Sequence, residues 1–189
     1  MTKPPKTDAG LTGYVTVLSV SPIPDDHISL KQIIHYSEWD VQSDSRWELN
    51  ASLTLTSALR VLRRQQIPVV ICERDLQPGT WREMLEQIGC LPSPPLLIVT
   101  SRLADERLWA EALNLGAYDV LAKPFDKCEV IQAVTSAWRH WTDRVSAWAR
   151  QARIATATAA MPAGPYCSEA ATIPDLKYGI GPAIGLEFE

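Results

Sequence analysis

Two uninterrupted apolar runs constrain the fold of this 189-residue chain more than any other feature. Residues 69–72 read VVIC and residues 96–99 read LLIV, and a proline stands directly before each run. A strand with one wet face alternates apolar and polar side chains, whereas a strand buried on both faces is apolar throughout. Strands of the second kind are typical of parallel sheets that helices cover on both sides. The sequence therefore predicts an α/β fold.

The segments around these runs alternate between strand-like and helix-like patterns. Residues 43–50 have no clean period, although Trp47 and Leu49 indicate a strand extension or a small hairpin there. Strict alternation of strands and helices predicts a doubly wound, five-stranded parallel sheet of the flavodoxin-like order 2-1-3-4-5, with an extended C-terminal helix. The predicted strands are residues 14–20, 39–42, 69–72, 96–100 and 118–122, and the predicted helices begin near residues 24, 58, 80, 105 and 126.

Composition changes toward both ends of the chain. Residues 1–12 are polar and contain two prolines, so we predict a flexible N-terminal arm. Residues 156–189 are rich in proline and glycine and have no hydrophobic period, which predicts a flexible tail. Between these segments we expect a domain over residues 13–140 and an extension of its last helix over residues 141–155.

Charge, hydropathy and cysteine spacing argue against several classes of protein. The net charge of −4 argues against nucleic-acid binding through a basic face. Every apolar run is far shorter than the ~20 residues that span a bilayer, and the N-terminus has no signal-like apolar stretch. The four cysteines are scattered without a C-x-x-C pair, and no histidines have metal-ligand spacing. We expect a cytoplasmic protein with no metal ion, no cofactor and no nucleic-acid or membrane partner.

The most specific motif lies in the C-terminal half of the predicted sheet. The strand PLLIVTS contains Thr100, and residues 111–125 read EALNLGAYDVLAKPF. In these residues the sequence resembles the receiver domains of response regulators in two-component systems, and the resemblance covers roughly residues 14–140. It implies a role in phosphorelay signal transduction, with a sensor kinase or a downstream signalling protein as the partner.

The resemblance also implies a site at the carboxyl ends of the strands. Receiver domains hold magnesium with two acidic residues after the first strand, and they bind the transferred phosphoryl group with a Thr or Ser and a Lys. Thr100 and Lys123 match this phosphate-sensing pair. Ser21 and Pro22 stand where the two metal-binding acids belong, and neither can supply a carboxylate.

The family's phosphoacceptor aspartate is missing as well. Counting back from the Pro-Gly at residues 78–79 places Arg74 at that position, and a guanidinium cannot form an acyl phosphate. Glu73 and Asp75 flank it, and a one-residue shift brings one of them into the site, although such a shift requires a change in the loop. Lys123 is then expected to pair with Glu73 or Asp75 as a standing ion pair.

Four further positions depart from the family pattern or bear on it. The family's aromatic switch residue corresponds to Val120, and Tyr118, two residues earlier, is expected to face the same side. Asp25 and Asp26 are the remaining acids near the end of the first strand. We interpret them as residues of a helix N-terminus, where the helix dipole favours anions.

The last predicted helix continues beyond the end that a receiver domain needs. Its apolar residues follow heptad spacing, although the repeat covers fewer heptads than a secure coiled-coil assignment requires. This stripe predicts self-association or docking of a partner, and the alternative is a helix that folds back on its own domain. The stripe consists of Ile131 and Val134 followed by the predicted interaction face, Trp138, Trp141, Val145 and Trp148.

Three functions are compatible with these observations. The first is a stand-alone, non-enzymatic pseudo-receiver that acts by protein–protein contact without normal aspartyl phosphorylation. The second is a working phosphoacceptor that uses Asp75 or Glu73 in a rearranged site. The third is a small-ligand sensor on the same scaffold, which is the weakest because the chain has no G-x-G-x-x-G, P-loop or Ser-His-Asp arrangement.

Overall fold

The structure of the chain, a computed structural model, describes residues 14–36 and 46–159, with side chains described as far as Ala152. Strands and helices alternate throughout these residues, as the sequence predicts. In chain order they are β1 (Tyr14–Val20), α1 (Pro24–Tyr36), β2 (Arg46–Ser52), α2 (Leu55–Leu62), β3 (Val69–Glu73), α3 (Trp81–Gly89), β4 (Leu96–Ser101), α4 (Glu106–Leu115), β5 (Asp119–Ala122) and α5 (Lys127–Ala159).

The strands form one parallel sheet in the order β2-β1-β3-β4-β5. This order confirms the doubly wound, flavodoxin-like fold that the alternation predicted. Because parallel strands end at the same edge of a sheet, residues that follow β1, β3, β4 and β5 meet there. That edge carries the candidate functional site.

Alternate residues of β3 face opposite layers of the core. Val70 and Cys72 pack in the layer formed with α2, α3 and α4, whereas Val69 and Ile71 pack in the layer formed with α1 and α5. All residues of β3 are buried. The apolar run at residues 69–72 is therefore continuous because helices cover both faces of this strand.

The second strand differs from its predicted position. The strand predicted at residues 39–42 lies outside the described residues, and β2 is formed by Arg46–Ser52, where the sequence indicated a strand extension or a hairpin. β2 is an edge strand, and several of its side chains are exposed. Trp47 nevertheless packs in the α1–α5 layer of the core. The polar residues of a half-covered edge strand explain why this segment has no clean apolar pattern.

The long helix α5 stays in contact with the domain beyond residue 140, where the sequence predicted that the domain ends. The Trp138 ring meets that of Trp47 edge-on, with centroids 5.4 Å apart. The Trp141 indole donates a hydrogen bond to the Pro94 carbonyl over 3.1 Å, and Arg144 donates to the same carbonyl. The helix also includes residues 156–159, which were predicted to belong to the tail; the predicted arm at 1–12 and the tail from residue 160 lie outside the described residues.

No helix in the described ranges is both long enough and apolar enough to cross a membrane.

Candidate functional site

The carboxyl edge of the sheet brings together side chains that are distant in sequence. β3 and β4 are in register so that Glu73 lies beside Thr100, and β4 and β5 are in register so that Ser101 lies beside Ala122. Lys123 follows β5 directly, and its amide donates to the Ser101 carbonyl over 2.9 Å. Residues at the same level of neighbouring strands point to the same face of the sheet. The side chains of Glu73, Thr100 and Lys123 therefore meet on the face that α1 covers.

Lys123 lies between two carboxylates. Its Nζ is 2.5 Å from Asp26 Oδ2, at the start of α1, and it also donates to Glu73 Oε2, at the end of β3. The side chains of Lys123, Asp26 and Glu73 are only 7%, 11% and 7% exposed. A buried charge is tolerated when a partner of opposite sign and further hydrogen bonds compensate for the lost hydration. We call these three residues the Lys123 network.

Further hydrogen bonds fix the two carboxylates. The Ser21 hydroxyl donates to Asp26 Oδ2 over 2.5 Å. Glu73 Oε1 accepts the Asp75 amide over 3.3 Å, and Glu73 Oε2 lies 3.4 Å from the Thr100 hydroxyl. Both carboxylate oxygens of Glu73 thus have partners, and these partners fix the position of the side chain.

His27 holds the turn between β1 and α1. Its Nε2 donates to the Ser21 carbonyl over 3.0 Å, because a carbonyl can only accept, and its Nδ1 lies 2.8 Å from the Ser19 hydroxyl. The imidazole is buried. This role was not predicted, since His27 belongs to no ligand or catalytic motif. Its place one residue after Asp26, in the first turn of α1, was the available signal.

Asp26 is a second residue whose role differs from the sequence interpretation. It does lie in the first turn of α1, as expected, but its carboxylate points into the site and pairs with Lys123. A helix that begins directly after a parallel strand starts at the carboxyl edge of the sheet. Side chains in the first turn of such a helix can therefore point into the site as well as interact with the helix dipole.

The acceptor position also differs by one residue from the count based on residues 78–79. The side chain in contact with Thr100 and Lys123 is that of Glu73, whereas Arg74 points outward and makes two hydrogen bonds to Asp75, of 3.0 and 2.9 Å. Successive side chains at a strand end point to opposite faces, so only one of these neighbours can enter the site. The Asp75 side chain is 67% exposed and is not part of the network.

The pKa values of two titratable groups near the site are raised by their surroundings. Burial, followed by the neighbouring Glu73 carboxylate, raises the pKa of the Cys72 thiol to about 12. A thiol with this pKa stays protonated and has no nucleophilic character at neutral pH. The hydrogen bond to Asp75 raises the pKa of Arg74, so that guanidinium stays charged.

Val120, at the predicted switch position, and its aromatic neighbour Tyr118 lie in different layers of the core. Val120 is buried in the core layer of α2, α3 and α4, whereas Tyr118 packs on the α1–α5 layer, with its ring 5.7 Å from that of His140. The expectation that both face the same side is therefore wrong. β5 begins at Asp119, so the two-residue alternation of a strand does not extend back to Tyr118.

The residues at this edge do not fit the magnesium ion that the resemblance implies. Ser21 and Pro22 follow β1, and within the part of the chain that the structure describes no group of three or more His, Cys, Asp or Glu side chains could hold a metal. Asp26 and Glu73 already share the Lys123 ammonium as their cation. Magnesium requires several oxygen ligands in near-octahedral geometry, which this arrangement lacks.

Only part of the predicted interaction face on α5 is available for a partner. Trp138 and Trp141 make contacts within the domain, with Trp47 and Pro94 respectively. Val145 is half-buried, and Trp148 is 51% exposed. The exposed part of the stripe is therefore its end, around Trp148.

No model of a known protein family matches the chain, and no curated protein matches its sequence. Solved structures match over about two thirds of its length. The signal receiver domain of an HD domain-containing protein from Pseudomonas fluorescens Pf-5 is 24% identical, with a TM-score of 0.59, and the match covers 69% of this chain and 91% of that domain.

Two other solved structures give the same result. The signal receiver domain of a protein described as a Luxo repressor from Vibrio parahaemolyticus is 18% identical, with a TM-score of 0.61, over 71% of this chain and 97% of that one. The beryllofluoride-activated NtrC4 receiver domain dimer is 19% identical, with a TM-score of 0.58, over 67% and 98%. At these identities the likeness shows that this chain has the fold of a receiver domain.

Proposed function

We propose that this chain is a receiver-like signalling module that acts by protein–protein contact, in one conformation that the Lys123 network maintains without aspartyl phosphorylation. The observation that carries the proposal is that the Lys123 ammonium is shared between the buried carboxylates of Asp26 and Glu73. The likeness to solved receiver domains supports a role in signal transduction.

The chemistry of phosphoryl transfer argues for this function. Transfer to a carboxylate requires an accessible oxygen and cations that neutralise the phosphoryl oxygens. Glu73 is only 6% exposed, and both of its oxygens are engaged. The charges of Asp26, Glu73 and Lys123 sum to −1, so the two carboxylates already neutralise the Lys123 ammonium that a phosphoryl group would need.

One observation favours the second candidate, a phosphoacceptor that uses Glu73. Its carboxylate lies against both Thr100 and Lys123, the two residues that match the phosphate-sensing pair. Asp75, the other candidate acceptor, points outward and is held by Arg74. Of the two, Glu73 is the residue that a labelling experiment should address.

Incubation of the intact chain with acetyl phosphate and magnesium tests the two candidates, with mass spectrometry as the readout. We expect no phosphoryl adduct on the wild-type chain. Arg74→Asp should not create one, because successive side chains of a strand point to opposite faces and it is Glu73 that contacts Thr100 and Lys123. An adduct on the wild-type chain that Glu73→Gln abolishes and Arg74→Gln retains would establish the second candidate instead.

The partner surface that we propose includes the exposed end of the α5 stripe. Leaving the Trp148 indole in water is unfavourable by ~25 cal/mol per Å² of apolar area that a contact could bury. A second copy of the chain would pair the same stripe with itself, whereas a sensor kinase or a downstream protein would cover it with its own apolar residues.

Sedimentation velocity across a range of concentrations tests the pairing of two copies. We expect Trp148→Glu to shift the chain toward the monomer. Trp109→Glu, at an exposed tryptophan of α4, is the matched control and should leave the distribution unchanged. A wild-type chain that is monomeric throughout would exclude the second copy as the occupant.

A further inference from the structure

A cleft of about 340 Å³ lies at the amino end of the sheet, opposite the Lys123 network. One wall is the end of α2 with the turn that follows it, and the other is the loop between α3 and β4. Both walls combine apolar and polar groups. The apolar lining is Leu62, Ile67, Leu91, Pro92 and Pro95, and the polar lining is Arg63, Arg64, Gln65, Gln66 and Ser93.

The charge of this cleft has one sign. Arg63 and Arg64 are exposed, and no Asp or Glu is among the described residues that line the cleft. Arg60, one turn earlier on α2, is exposed as well. A guanidinium at a helix end also interacts favourably with the helix dipole, but that interaction requires no apolar pocket beside it.

The groove between α3 and α4 provides a comparison within the molecule. It is larger, about 460 Å³, and it also contains arginines. There, however, Arg74 is paired with Asp75, and Arg82 is paired with Glu111. The α3–α4 groove therefore has acids of its own that compete for its arginines, whereas the amino-end cleft has none in its described lining.

We propose that the amino-end cleft binds an acidic segment of a partner protein, with one apolar side chain of that segment inserted between the walls. Arg63 and Arg64 would pair with carboxylates of the segment, because a guanidinium and a carboxylate form strong, directed hydrogen bonds. The apolar floor, with Leu62 and Ile67, receives the anchoring side chain. The inference rests on the proposed function, because it supposes that the chain acts by protein–protein contact.

The cleft is connected to the long helix through one loop. Pro94 lies between the lining residues Ser93 and Pro95, and its carbonyl accepts hydrogen bonds from Trp141 and Arg144 of α5. A segment that presses on this wall therefore acts on the same residues that hold α5 against the domain. The Trp141 indole N–H consequently reports on occupation of the cleft.

Amide NMR spectra of the intact chain, titrated with a capped peptide that carries one leucine between two pairs of glutamates, test the proposal. We expect saturable shifts at residues 62–67 and 91–95 and at the Trp141 indole. Replacing Arg63 and Arg64 together with Gln should weaken binding about tenfold, as expected for the loss of close charge pairs. Arg107→Gln, on α4, is the control and should leave the affinity unchanged.

Three outcomes with the glutamate peptide overturn the proposal. They are the absence of saturable shifts up to about 1 mM peptide, shifts confined to the α3–α4 groove, and equal binding by the double variant and the wild-type chain. A peptide with glutamines in place of the glutamates is a second control that needs no variant protein, and equal binding of this peptide would also overturn it. None of these outcomes depends on acetyl phosphate labelling, so a failure at the cleft and a failure of the proposed function are distinguishable.

Discussion

The charged side chains at the two ends of the parallel sheet differ in burial and in pairing. At the carboxyl end, Lys123 is buried between Asp26 and Glu73. At the amino end, Arg63 and Arg64 are exposed beside a cleft whose described lining contains no acid. A buried charge must find its partner within the fold, because an unpaired one is costly, whereas an exposed charge is hydrated and can exchange water for a ligand. The carboxyl end therefore stabilises one arrangement, and the amino end is the better surface for a new contact.

Removing the central cation should have the largest effect. Lys123→Met leaves two buried carboxylates without their counter-ion, and we expect the free energy of unfolding to fall by about 3–5 kcal/mol. Urea denaturation measures this loss. Lys127→Met, at the exposed start of α5, is the matched control and should change stability by less than about 0.5 kcal/mol. Equal effects of the two substitutions would contradict a buried network.

Removing one carboxylate should cost less, because the network then retains one cation and one anion. For Glu73→Gln we expect a loss of about 1–3 kcal/mol, the usual range for a hydrogen bond to a charged group. Arg74→Gln, at the adjacent but outward-pointing residue, should cost less than about 0.5 kcal/mol. The same denaturation curves decide which neighbour belongs to the site, and a larger loss for Arg74→Gln would place the arginine there instead.

The contact of α5 with the amino end should be weaker than the network. Trp141→Phe removes the indole donor to the Pro94 carbonyl, and we expect a loss of about 1 kcal/mol, since Arg144 still donates to that carbonyl. Trp148→Phe should be close to neutral, because Trp148 is half-exposed. Thermal unfolding of the two variants at a concentration where both are monomeric provides the comparison, and equal losses would mean that the Pro94 contact contributes nothing.

The smallest effect should come from Asp119, at the first position of β5. Burial raises the pKa of its carboxyl above the ordinary 3.8. The native state therefore holds this proton more tightly than the unfolded chain, and stability falls as the pH rises from 3.8 through the native pKa.

Asp119→Asn removes this fall and keeps an oxygen that can accept the Val120 amide. We expect a slightly more stable variant at pH 7, and a difference that shrinks as the pH approaches 3.8. Denaturation at several pH values measures it, and a difference that grows toward low pH would reverse the sign of the argument.

The central strands were predictable because an uninterrupted apolar run indicates a strand that is buried on both faces. β3 and β4 lie where these runs indicated, and the sheet order follows from the alternation of strands and helices. β2 was misplaced because an edge strand buries only part of its surface and carries a mixed pattern. The sequence also identified Thr100 and Lys123 as residues of the carboxyl edge, since each follows or ends a predicted strand.

The partners of these residues depended on the tertiary structure. Asp26 and Lys123 are 97 residues apart, and Glu73 and Lys123 are 50 apart. Strand order brings them to one edge, but the choice between Glu73 and Arg74 depends on which of two successive side chains faces α1, a property of register that a sequence motif did not reveal. The alternating pattern, and hence the fold, followed from the sequence alone. The buried ion pairs at one end of the sheet and the exposed arginines at the other were decided by packing, because only packing determines which charges lose their water.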